Sequence, residues 1–266
     1  RPIRAVSVGR GRGRLALVGL GPGDRVWRTA EVDRLLQEAT HLVGYRGYLD
    51  LVEERPGQAR HAYELGEEVE RCRDALELAA AGHRVALVCS GDPGIFAMAA
   101  PVVELIERGE HPAFGRLELL VSPGVSALQA AAARVGAPLG HDFCAISLSD
   151  LLTPWTVIER RLQAAAEGDF VTVLFNPASG RRRQGLIRAL EILARSRPPA
   201  TPVILARKLG RAGEAVSLHT LGSFDPDAVD MLSLVIVGAR STRIVERPAR
   251  PPLVVTPRGY PSGGGG

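Results

Sequence analysis

Short apolar runs alternate along the chain with longer segments whose apolar residues recur every three and four positions. Residues 14–20, 41–44, 84–90 and 117–122 are β-branched or leucine-rich and predict buried strands. Helices are predicted between them at 30–39, 67–81, 95–107 and 126–135, with Gly82, Gly109 and Gly136 standing where helix ends are expected. A second series follows Gly136-Ala137-Pro138, with strands at 144–148, 170–175, 202–206, 215–220 and 234–237 and helices at 155–167 and 184–195. The β-α-β order predicts two α/β domains, 14–138 and 139–245, each a mixed, mainly parallel sheet flanked by helices. Ligand loops are then expected at the carboxyl ends of the strands, and a cleft between the domains is the expected ligand site. Residues 1–13 lack apolar periodicity and read as a linker, and 246–266 read as a flexible tail. A fusion partner before Arg1 is a further expectation.

Composition narrows the function classes. Hydrophobic residues make up 45% of the 266 and charged residues 23%, which excludes a disordered chain, and no apolar run reaches the roughly 20 residues of a membrane span. A cytoplasmic protein is expected. The formal net charge of +4 resides in the tails: residues 1–13 carry +4 and residues 246–266 carry +2, so the body is near −2. A nucleic-acid partner is therefore not expected. Cys72, Cys89 and Cys144 match neither a zinc site nor a disulfide framework and read as buried thiols, and His41, His83 and His141 show no metal spacing.

Three glycine-rich segments follow predicted strands. Gly19-Leu20-Gly21-Pro22-Gly23-Asp24 departs from a dinucleotide-binding loop because Asp24 takes the place of the last glycine and Pro22 removes an amide. Ser90-Gly91-Asp92-Pro93-Gly94-Ile95-Phe96 offers a carboxylate beside an apolar wall, although Asp92 also suits a helix cap. Ser122-Pro123-Gly124-Val125-Ser126-Ala127 repeats the pattern, and three such loops can meet along one sheet edge. No nucleophile elbow, paired metal ligands or CxxC is present in the sequence.

Taken together, these three segments resemble the tetrapyrrole (precorrin/corrin) methylase family. Val43-Gly44-Tyr45 with Tyr48-Leu49-Asp50, the run from Ala145 to Trp155 and Leu174-Phe175-Asn176-Pro177 narrow the resemblance to its C-17 methylases, over about residues 14–245. The resemblance implies a homodimer that binds S-adenosylmethionine (SAM) and releases S-adenosylhomocysteine (SAH). Carried over motif by motif, the cofactor contacts are Pro22, Ser90, Gly91, Asp92, Ile95, Ser126 and Ala127, with Asn176 and Lys208 from the second domain. The implied substrate is precorrin-3B, methylated while the ring contracts to precorrin-4. Asp24, Ser149 and Asp150 are the candidates for proton movement, Asp150 fitting a turn role equally well. Arg181, Arg182, Arg183, Arg207 and Arg211 are candidates for the substrate carboxylates, and Tyr45 and Tyr48 for shaping the site. Another precorrin or cobalt-precorrin methylase, a tetrapyrrole carrier and a dinucleotide-dependent oxidoreductase are the competing readings.

Overall fold

In a computed structural model the described residues are 13–178 and 184–260, and they form two compact units divided between Ser126 and Ala127. All but Gly13 of the linker expected at 1–13, Arg181 to Arg183 and the last residues of the tail lie outside the described residues.

The first unit contains β1 (Arg14–Gly19), α1 (Ala30–Glu38), β2 (His41–Tyr45), α2 (Arg46–Leu49), β3 (Ala59–Tyr63), α3 (Glu68–Ala80), β4 (Arg84–Cys89), α4 (Ala99–Glu107) and β5 (Glu118–Ser122). The strands form one sheet in the order β3-β2-β4-β1-β5, parallel throughout. Both faces of its central strands are covered, which is why β1 and β4 read as continuous apolar runs. Leu15, Leu17, Val85 and Leu87 pack with Cys72, Ala75, Leu76 and Ala79 of α3 on one face. On the other face Ala16, Val18, Ala86 and Val88 pack with Val32, Leu35 and Leu36 of α1. Each fully buried leucine contributes about 1.5–3 kcal/mol. Thr29 opens α1 by accepting the Val32 amide on Oγ1 at 3.1 Å, and Gly82 and Gly109 follow α3 and α4 with φ of 103° and 65°.

The second unit contains α5 (Ala127–Val135), β6 (Gly136–Ala137), β7 (Phe143–Ser147), α6 (Trp155–Glu167), β8 (Val171–Phe175), α7 (Gln184–Ala194), β9 (Pro202–Arg207), β10 (Ala215–Thr220), β11 (Ser233–Val237), β12 (Arg243–Arg247) and β13 (Arg250–Val255). Its main sheet has the order β10-β9-β11-β8-β7. Only the β7–β8 pairing is parallel; β8–β11, β11–β9 and β9–β10 are antiparallel. The expected mainly parallel sheet therefore describes the first unit alone. The crossover through α7 keeps β9 aligned with β8, and β11 enters between them in the opposite sense.

Two boundaries differ from expectation. The division falls before α5 rather than at Pro138, because α5 packs on β6, β11 and β13. The expected tail from 246 is ordered through Val255: β13 pairs antiparallel with β12 and parallel with β6, and Val254 is fully buried. Buried Thr256 donates from Oγ1 to the Pro138 carbonyl at 2.6 Å and takes the Ala137 carbonyl with its amide at 3.1 Å.

Candidate functional site

β4, β1 and β5 are adjacent and parallel, so the loops that follow them emerge side by side at one sheet edge. Gly21 and Gly91 exchange backbone hydrogen bonds, Gly91 N to Gly21 O at 2.8 Å and Gly21 N to Gly91 O at 3.2 Å. The third loop is closer still. A Cβ on Gly124 would lie 2.1 Å from the Gly91 carbonyl oxygen and 2.7 Å from that of Gly19, so backbone occupies the space a side chain needs. The glycines in these motifs first serve loop-on-loop packing.

Asp92 joins the second loop to the third. Its Oδ1 accepts the Gly94 amide at 2.8 Å and its Oδ2 the Gly124 amide at 3.1 Å. The helix expected from Ile95 begins at Ala99 instead, so Asp92 closes a turn rather than capping a helix. Within that turn Phe96 has φ of 51°, an uncommon conformation for an aromatic residue, and its ring is half exposed. Pro22 and Gly23 of the first loop are buried, Ser126 is buried, and Ser90, Gly91 and Ile95 are partly exposed. None of the three loops carries a lysine or arginine.

At the second unit's main sheet, β7, β8 and β9 end at one edge. Asn176 follows β8 with φ of 50° and donates from Nδ2 to Ser147 Oγ at 3.0 Å, while Ser147 Oγ also accepts the Ser149 amide at 3.3 Å. Lys208 follows β9, also with φ of 50°, and its amide reaches the Leu232 carbonyl at 3.0 Å. The loop after Lys208 is held by Glu214, whose Oε2 accepts the Gly210 amide at 2.6 Å and whose Oε1 meets Arg134 of α5 at 2.5 Å. The Arg134 guanidinium and the Gly210 amide hold the Glu214 carboxyl below its ordinary range.

The family model for tetrapyrrole (corrin/porphyrin) methylases matches residues 14–225. The chain belongs to that family. This methylase is 49% identical to a precorrin-3B C(17)-methyltransferase of a Sinorhizobium species over 248 residues, covering 93% of this chain and 97% of the relative. It is 46% identical to a probable cobalt-factor III C(17)-methyltransferase of Salmonella typhimurium, covering 92% and 99%. Among solved structures, the methyltransferase CobJ matches with a TM-score of 0.86 and 42% identity, covering 92% of this chain and all of that one. A Thermus thermophilus uroporphyrin-III C-methyltransferase complexed with S-adenosylhomocysteine matches with a TM-score of 0.61 and 25% identity, covering 85% and 97%.

The methylase thus gathers the predicted residues into two groups. Pro22, Ser90, Gly91, Asp92, Ile95 and Ser126 share the edge of the first sheet, and Ala127 opens α5. Ser149, Asp150, Asn176 and Lys208 share the edge of the second. Asp24 is exposed, and its Oδ1 accepts the Val26 amide at 2.9 Å, opening the short turn of helix at 25–27. Asp150 is exposed and Ser149 partly so. Sequence reasoning missed the roles of Ser147, which positions both Asn176 and the Ser149 amide, and of Glu214, which fixes the Lys208 loop. The signal for Ser147 was its place as the last residue of a strand parallel to β8. Burial raises the thiols of Cys72 and Cys89 to about 12, which suits packing rather than nucleophilic chemistry, and burial also raises Cys144.

Proposed function

We propose that this chain is a SAM-dependent C-methyltransferase of cobalamin biosynthesis that methylates C-17 of precorrin-3B or its cobalt-containing counterpart, cobalt-factor III. The observation that carries the reading is the joined loop floor of Gly19, Gly21, Gly91 and Gly124, fixed by Asp92 and free of lysine and arginine. A floor that carries a carboxylate and no cationic side chain suits a cationic ligand rather than a phosphate. Family membership and the two C(17)-methyltransferase relatives support the choice of reaction.

The cofactor supplies a methyl group on a sulfonium, which passes to an electron-rich ring carbon. The chain's own part is alignment and exclusion of water rather than nucleophilic attack. Pro22, Ser90, Gly91, Asp92, Ile95, Ser126 and Ala127 would hold the cofactor, with Asn176 and Lys208 from the second unit. Ser149 and Asp150 stand beside Asn176 on the second sheet's edge and are the groups assigned to receiving or returning a proton. Asp24, occupied in opening a helical turn, is the weaker assignment of the three. A homodimer is part of the same reading.

Calorimetric titration with SAH, followed by incubation with SAM and cobalt-factor III, tests it. Saturable SAH binding and a product heavier by one methylene are expected. A folded sample that binds no SAH contradicts the proposal.

A further inference from the structure

The registers of the second sheet align Ser149, Leu232 and Lys208 just beyond the ends of β7, β11 and β9. Ser147 pairs with Phe175, Leu174 with Val235, and Ser233 with Arg207. The same edge carries four large apolar side chains turned to solvent: Leu152 is 97% exposed, Leu151 74%, Met231 60% and Leu232 52%. Leu151 and Leu152 follow β7; Met231 and Leu232 precede β11. These two strands are two spacings apart, about 10 Å.

Both apolar segments are held in place. Leu148 is buried and its amide takes the Phe175 carbonyl at 2.9 Å, while Trp155 packs on the core at the other end of its loop, close over Gly185. Asp230 closes the other turn: its Oδ1 accepts the Leu232 amide at 2.9 Å and the Ser233 hydroxyl at 2.7 Å. Rigid loops that expose adjacent leucines keep a hydration cost in the free protein that only a ligand removes.

We infer that Leu151, Leu152, Met231 and Leu232 form a preorganised apolar rim that takes one face of the tetrapyrrole macrocycle. This rests on the function proposed above. Four side chains fall well short of the roughly 800 Å² per partner that a stable protein interface buries, which argues against a second copy as the occupant. Their span suits a flat ring of four pyrroles, and Arg207 at the same edge, exposed, supplies a cation for its peripheral carboxylates. Met231 adds a side chain that adapts to an irregular ring surface.

The test is the double variant Leu152→Ser, Met231→Ser in the full chain, titrated with cobalt-factor III by absorbance and with SAH by calorimetry, with sedimentation alongside. The inference expects cobalt-factor III to bind about ten-fold more weakly or worse, SAH affinity within about two-fold of the parent and unchanged sedimentation. The conservative pair Leu152→Ile, Met231→Leu is expected to restore macrocycle binding. Unchanged macrocycle affinity overturns the inference, and so does a shift in sedimentation, which assigns the rim to a subunit contact. A parent protein that binds no SAH fails the functional proposal instead, and one that binds SAH but no macrocycle overturns both.

Discussion

Asp92 Oδ2 accepts the backbone amide of Gly124 at 3.1 Å, across 32 residues of chain, and so ties the loop after β4 to the loop after β5. The same carboxylate takes the Gly94 amide, so both oxygens are committed to holding the loops in register. A carboxylate with two amide donors is both an anchor and a fixed negative charge at the floor where a cationic ligand is proposed to bind.

Asp92→Ala is therefore expected to act on loop order and on ligand affinity together. Loss of two charge-assisted hydrogen bonds costs about 1.5–3 kcal/mol, equivalent to roughly a ten-fold or greater weakening of SAH binding. Asp92→Asn is expected to be nearly as damaging, because its amide can present only one oxygen to two N–H donors. Calorimetry with SAH checks both, and an unchanged dissociation constant in Asp92→Ala restricts the residue to shaping its own turn.

Two glycines in these loops separate packing from mere flexibility. Gly124→Ala places a methyl 2.1 Å from the Gly91 carbonyl oxygen, whereas Gly94→Ala meets only the Asp92 carboxylate oxygen at 3.2 Å. The first is expected to cost about 1–3 kcal/mol of stability and to abolish SAH binding. The second is expected to be tolerated within about 0.5 kcal/mol. Thermal melts of the two variants, with and without SAH, check the contrast.

At the amino edge of the first sheet, the His41 ring lies 4.1 Å from that of His83 and 5.4 Å from that of His61, centroid to centroid. Burial, then the neighbouring imidazoles of His83 and His61, lowers the His41 pKa from its ordinary value. A base whose folded pKa lies below its unfolded one leaves the unfolded state holding more protons, so stability falls as pH drops through about 6.5 and below. His41→Gln is expected to flatten the dependence of the melting temperature on pH between about 5 and 7.5. A parallel pH profile for parent and variant contradicts this.

The sequence pattern made most of the first sheet legible, because strands buried on both faces read as unbroken apolar runs. β3 escaped it: Ala59–Tyr63 is an edge strand, half exposed, with arginine and histidine in the middle. β13 and the end of β12 carry the pattern of a tail from 246 because their arginines and prolines face outward and only Val254 is fully buried. Strand sense in the second sheet was hidden for a different reason, since an inserted antiparallel strand such as β11 carries the same apolar run as a parallel one. The three glycine loops were visible as motifs, but not what their glycines do. That depends on contacts such as Gly124 with Gly91, which appear only when adjacent strands bring distant loops together. Apolar spacing starts a helix at Ile95, whereas Asp92 and the left-handed Phe96 wind the chain before Ala99 into turns.

Transfer of an isotopic methyl group tests the central claim most directly. Incubation with carbon-13 methyl-labelled SAM and cobalt-factor III, followed by carbon NMR of the product, is predicted to place the label on C-17 of the macrocycle with release of SAH. A label on any other ring carbon, or SAH release without incorporation into the macrocycle, would contradict the account.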